Sequence, residues 1–139
     1  MPTDDDHPAR AASQRSMAAV EAGDRDGWLA LFAPDAVVED PIGPSMFDPE
    51  GGGHHGPEGI AEFYDTVIGP NRGVAFSIDA SYACGDEVAN VGTITTTLPD
   101  GTRAIVDGVY TYRVDPEGRI AALRAFWEAD AIRFEPPAG

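Results

Sequence analysis

Asp40 is the side chain on which chemistry is most readily built. It stands in Val-Val-Glu-Asp-Pro-Ile-Gly, residues 37–43, where a short strand-forming run meets a proline. Pro41 restricts the backbone there and so sets how the carboxyl is presented. In apolar surroundings, desolvation raises a carboxyl's pKa toward working pH, where it can take up a proton and return it. The same Asp-Pro pair also serves as plain turn chemistry. Three hydroxyls are candidate companions. Tyr110 reads either as a core aromatic or as a donor to a ligand oxygen. Tyr64 reads as pocket wall or core, and Ser16 as a small packing residue or a ligand contact.

Other chemistries lack their residues. His54 and His55 are adjacent, point apart and have no third ligand at helical spacing, so no metal centre is expected. Gly51-Gly52-Gly53 lacks the lysine and helix of a phosphate loop and reads as a flexible connection. No serine lies in a nucleophile-elbow pattern. Cys84 sits near a turn with no basic neighbour to activate it. No cofactor is expected.

The elements that must position these groups fall into two halves. A first helix is predicted over 8–22, ending at Gly23 and burying Ala12, Ser16, Ala19 and Val20 on one face. Asp24 caps a second helix over 25–32 with Trp28, Leu29 and Phe32 as its apolar stripe. Residues 36–40 read as a strand stopped by Pro41. A loop follows over 42–56, and then a third helix from Pro57 to Gly69 carrying Ile60, Phe63, Tyr64 and Val67. Strands are predicted at 74–83, 86–97, 103–114 and 118–128, with turns at Pro99-Asp100-Gly101 and Pro116-Glu117-Gly118. In the third of these, Ala104, Val106, Gly108, Tyr110, Tyr112 and Val114 face one way, and Arg103, Asp107, Thr111 and Arg113 the other. Helices first and strands after point to an α+β class, with a pocket between helices and sheet.

The chain has 139 residues, one domain's worth, and no apolar run approaches the ~18 residues of a membrane span. Met1 to His7 is acidic and polar, reading as a solvated disordered tail and not as a signal peptide. One cysteine excludes an internal disulfide and suits a reducing compartment, so a cytoplasmic location is expected. Twenty-four acidic against nine basic side chains leave a formal charge of −15. That field repels phosphate backbones and anionic lipid, which excludes nucleic acid and membranes as partners but leaves a neutral apolar ligand indifferent.

Three stretches together resemble one family. Glu21 to Gly43 (EAGDRDGWLALFAPDAVVEDPIG), Gly56 to Tyr64 (GPEGIAEFY) and Gly118 to Trp127 (GRIAALRAFW) are similar to the corresponding parts of bacterial Δ5-3-ketosteroid isomerases, with the longer loop of the actinobacterial branch. The likeness spans about residues 10–130 and implies the NTF2-like, SnoaL-like cone. By this resemblance Asp40 matches the catalytic base, Tyr64 the tyrosine supporting the oxyanion site, and Trp127 a tryptophan whose indole N–H reaches the base. The family's first-helix tyrosine falls on Ser16, and its protonated strand aspartate on Tyr110. Both are departures: Tyr110 keeps a donor, whereas Ser16 is too short to replace a tyrosine unless a water or another residue bridges.

The implied reaction moves a double bond into conjugation with a 3-oxo group, through a dienolate whose oxygen needs hydrogen-bond donors; a neutral carboxyl donor in this family is a known precedent. Phe32, Val38, Phe63 and Trp127 supply the apolar setting of Asp40. The resemblance implies a 3-oxosteroid as ligand and a homodimer as assembly. Two alternatives share the fold: a non-catalytic binder of steroid-like or polyketide-like molecules, motivated by Ser16, and an epoxide hydrolase or cyclase, which needs a second carboxylate in the pocket.

Overall fold

The computed structural model describes residues 7–137. The expected acidic tail, 1–7, lies outside them except for His7. Its Nδ1 accepts the amide of Ala9 at 3.0 Å and so caps the first helix, while Nε2 lies 2.9 Å from the carbonyl of Gly85. Helix α1 spans Pro8–Ala22, begins on a proline and ends at Gly23 in the left-handed region (φ 69°). Helix α2, Arg25–Leu29, starts where Asp24 accepts the amide of Gly27. Helix α3, Gly56–Phe63, runs on into a π-helical turn, Tyr64–Ile68.

The strands are β1 (Phe32–Glu39), β2 (His54–His55), β3 (Gly73–Cys84), β4 (Glu87–Thr97), β5 (Arg103–Val114), β6 (Ile120–Phe126) and β7 (Arg133–Glu135). They form one curved sheet in the order β2-β1-β6-β5-β4-β3, with β7 on the start of β5. Every pairing is antiparallel except β1 with β6. The helices cover its concave face around a core of Trp28, Ile60, Phe63, Val38, Val88 and Ile120. This is the α+β class that the residue pattern predicts and the cone that the resemblance implies.

Three differences have clear causes. The second helix stops before Phe32, because the carbonyl of Leu31 accepts the amide of Ile120 and Phe32 pairs with Ile120. The chain is thereby drawn into β1, and Pro34 falls in the register irregularity between Phe32 and Val37, where a missing N–H costs no ladder bond. The loop 42–56 ends in the two-residue strand β2, paired to Val37 and Val38. Finally, β7 was not predicted; three residues carry too little alternation to be seen. Gly108 has a packing reason: a Cβ there would lie 2.4 Å from the carbonyl oxygen of Phe126, so only glycine lets β5 approach the end of β6 this closely.

Candidate active site

A cavity of about 300 Å³ lies between the helices and the concave face of β3–β6. Its walls are mostly apolar, from Val20, Val67, Ile94, Val106 and Leu123 among others, as ligand pockets of this size generally are. Among the described residues that line it, Asp40 is the only carboxyl. Asp40 follows the end of β1, where the amide of Ile42 donates to the carbonyl of Ala125 at 3.0 Å and ties the turn to β6.

The indole Nε1 of Trp127, just past β6, donates to Asp40 Oδ1 at 2.6 Å. Burial raises the Asp40 pKa above the ordinary carboxylate value; the Trp127 bond and the nearby charge of His54 oppose that rise without cancelling it. The adjacent Glu39 is the residue held by arginine, with Arg124 Nε 3.0 Å from its Oε1. The carboxyl at position 40 is thus left to the indole and the cavity. From the long loop, Phe47 stands edge-on to Trp127 with ring centres 6.4 Å apart, and His54 packs on Phe63 at 5.0 Å. Asp48 holds that loop in shape by accepting the amides of Gly51 and Gly53.

The predicted companions separate into those the fold brings to the cavity and those it does not. Phe63, Tyr110, Ser16 and Trp127 line it with Asp40. Phe32 and Tyr64 do not: both pack against Trp28, with ring centres 4.7 and 5.5 Å away, and form the layer behind the wall. For Tyr64 this corrects the expected support of an oxyanion site: its ring is buried against Trp28, whereas the neighbouring Phe63 lines the cavity. Tyr110 is at the cavity, but its hydroxyl donates to the carbonyl of Val106 at 3.0 Å, so its proton is already engaged. Burial and the neighbouring charge of Asp40 push its pKa far above that of a free phenol.

Ser16 is fully buried and reached from two sides. Trp28 Nε1 donates to its Oγ at 3.0 Å, and Tyr112 Oη lies 3.0 Å from the same oxygen. Tyr112 and Trp28 also line the cavity, as does Phe47. These three were not singled out as site residues. For Tyr112 the signal existed, since it shares the inward face of β5 with Tyr110, two residues away. For Trp28 only its place on an apolar stripe was visible, and for Phe47 nothing was.

The SnoaL-like domain family matches this chain over residues 13–123, which takes in Asp40 and most of the residues that line the cavity.

The chain belongs to the SnoaL-like family.

Within the SnoaL-like family and its structural neighbours, the chain is similar to proteins that handle steroids. It is 31% identical over 118 residues to a steroid Δ-isomerase of Nocardioides simplex, covering 85% of this chain and 88% of that one. It superposes on the Δ5-3-ketosteroid isomerase of a Mycobacterium species with a TM-score of 0.88 and 47% identity, over 93% and 99% of the two chains. A Mycobacterium tuberculosis protein solved with estradiol-17beta-hemisuccinate matches with a TM-score of 0.86 and 40% identity, over 92% and 99%. Among the described residues, no helix is long and apolar enough to cross a membrane.

Proposed function

We propose that this chain is a steroid Δ-isomerase that moves the C5–C6 double bond of a 3-oxo-Δ5-steroid to the conjugated C4–C5 position, with Asp40 as the base. One observation carries the reading: a carboxyl, the only one among the described lining residues, is held by an indole N–H at 2.6 Å and faces a largely apolar cavity of about 300 Å³. The ionised carboxylate takes a proton from C4, and the electron pair delocalises through the dienolate onto the 3-oxygen. The protonated acid then delivers the same proton to C6, so no net proton, electron or cofactor is consumed. Desolvation serves this cycle, because a carboxyl with a raised pKa is a stronger base toward carbon and a reluctant ion in the cavity. Trp127 and Phe47 orient it, and Phe63 offers a flat apolar surface to the ring system.

The reaction is followed by the ultraviolet absorbance of the conjugated ketone, with 5-androstene-3,17-dione or 5-pregnene-3,20-dione as substrate. Turnover well above the buffer rate is expected. A second reading is favoured by Ser16, which stands where the resemblance implies a tyrosine, and by the proton of Tyr110 being already engaged by Val106. Tight binding of equilenin with no turnover of either dione would favour a non-catalytic steroid binder. An epoxide hydrolase or cyclase is not favoured, since Asp40 has no carboxylate companion among the described lining residues.

The assembly proposed with this activity is a homodimer through the convex face of the sheet. Val91, Val109 and Phe126 lie side by side across β4, β5 and β6 there, and Val91 and Phe126 are exposed. Sedimentation of the purified chain should give twice its mass; a monomer at micromolar concentration would exclude this assembly.

A further inference from the structure

On one wall of the cavity Trp28, Ser16 and Tyr112 form a hydrogen-bonded chain of three groups. Trp28 Nε1–H can only donate, and it donates to Ser16 Oγ at 3.0 Å. Ser16 Oγ is also 3.0 Å from Tyr112 Oη, and either of those two hydroxyls can donate to the other. Ser16 comes from α1, Trp28 from α2 and Tyr112 from β5, so three separate elements converge on this point. Two proton arrangements exist. If Tyr112 donates to Ser16, the serine proton is left without a described acceptor on a residue that is 1% exposed. If Ser16 donates to Tyr112, each hydrogen bond is used once and the free O–H belongs to the phenol, which lines the cavity containing Asp40. The second arrangement becomes the favourable one as soon as an acceptor enters the cavity, and each bond in such a chain polarises the next. Tyr110 differs, since its proton goes to Val106 O.

We infer that Tyr112, backed by Ser16 and Trp28, is the hydrogen-bond donor to the substrate's carbonyl oxygen, with Ser16 a positioning residue that relays the indole N–H. The inference rests on the isomerase reading above. It also explains how a serine can stand at a helix position too distant for its own hydroxyl to serve: the missing reach is supplied from β5. Burial pushes the Tyr112 phenol up to about 12, with the Asp40 charge adding to the rise and the Ser16 bond opposing it, so the group stays protonated and available as a donor throughout the neutral range.

Steady-state kinetics on the full chain test this with Tyr112→Phe, Ser16→Ala and Tyr110→Phe, each checked for an unchanged circular dichroism spectrum and melting transition. Tyr112→Phe should lower kcat on the order of 10²–10³-fold, as loss of one oxyanion donor does, with KM changed only a few-fold. Ser16→Ala should give a smaller loss in kcat, and Tyr110→Phe less than either. A second readout does not depend on turnover. The naphthol absorbance of bound equilenin should shift toward the ionised form in the wild type and in Tyr110→Phe, and lose that shift in Tyr112→Phe. Loss of both rate and shift in Tyr110→Phe, with Tyr112→Phe within about threefold of wild type, overturns the assignment. A wild type that turns over neither dione defeats the isomerase reading instead, and the equilenin spectra then still decide which tyrosine donates. If Tyr112→Phe does not fold, an unaltered rate and spectrum in Ser16→Ala overturn the relay.

Discussion

Asp40→Asn should lower isomerisation on the order of 10²–10⁴-fold, the range that a positioned general base contributes, while leaving steroid binding largely intact. The substitution is close to isosteric. An asparagine Oδ1 still accepts the Trp127 indole N–H that Asp40 accepts at 2.6 Å, so the turn after β1 and the cavity wall keep their geometry. What is removed is the ability to hold a proton between C4 and C6. Full rate in this variant would refute Asp40 as the base. The pH profile adds a second arm. Only the ionised carboxylate is a base, so activity rises with pH through the Asp40 pKa, which burial raises above the ~3.9 of a free aspartate. The acid limb of kcat/KM should therefore lie above that value, and Trp127→Phe, which removes a donor that lowers the pKa, should move it higher still. An acid limb that moves down in Trp127→Phe would contradict the geometry.

Stability should change in the opposite direction to activity. Because the folded-state pKa is the higher one, the native form holds this proton more tightly than the unfolded chain does. Stability from this group is greatest below the unfolded value and declines as pH rises through the folded one. At neutral pH the ionised, desolvated carboxylate is a net cost to the fold, and the asparagine has no such cost. Asp40→Asn should accordingly melt higher than the wild type at pH 7, and the difference should vanish in acid. A lower melting temperature at pH 7 would mean that the carboxylate is better solvated than its cavity position implies.

Trp28→Ala should destabilise the fold by about 3–5 kcal/mol, the cost of emptying a buried tryptophan site. Against a total of about 5–15 kcal/mol for a domain, this is a large share of the stability. Trp28 is 1% exposed and stands where three elements meet. Phe32 at the start of β1 packs on it at 4.7 Å and 69°, Tyr64 of the π-helical turn at 5.5 Å, and Phe63 of α3 at 6.4 Å. The alanine would leave a void that rigid neighbours from separate elements cannot close. Trp28→Phe fills much of that space and isolates the other role of the side chain, the N–H donated to Ser16 Oγ. It should cost about 1–3 kcal/mol, the usual range when a buried polar atom loses its partner. Denaturant unfolding of the three proteins measures both numbers. An alanine variant within about 1 kcal/mol of wild type would show that the cluster does not act as the hinge of the core.

The pattern of residue types reached a long way into this protein. The alternation from Ala104 to Val114 identified the inward face of β5, because side chains on a strand repeat every two residues whatever lies opposite. Gly23 and Asp24 marked the end of one helix and the start of the next, since their local backbone preferences act within a few residues. Asp40 before Pro41 at a strand end, and Trp127 after an apolar run, were legible for the same reason and through the likeness of the segments around them.

Tertiary packing decided the rest. Phe32 left its helix because a strand almost ninety residues later, starting at Ile120, offered it a parallel partner. Tyr64 lies behind Trp28 with ring centres 5.5 Å apart, while Phe63, one residue earlier, lines the cavity. The tyrosine whose proton remains free was decided by contacts 96 residues apart in one case and four in the other: Ser16 with Tyr112, and Tyr110 with Val106. Both phenols occupy the same face of the same strand, and no local rule separates them. Periodicity assigns a side chain to a face, but the direction of a hydroxyl's single proton depends on which acceptors the finished fold brings within 3 Å, and that is known only once the helices and the sheet have closed on each other.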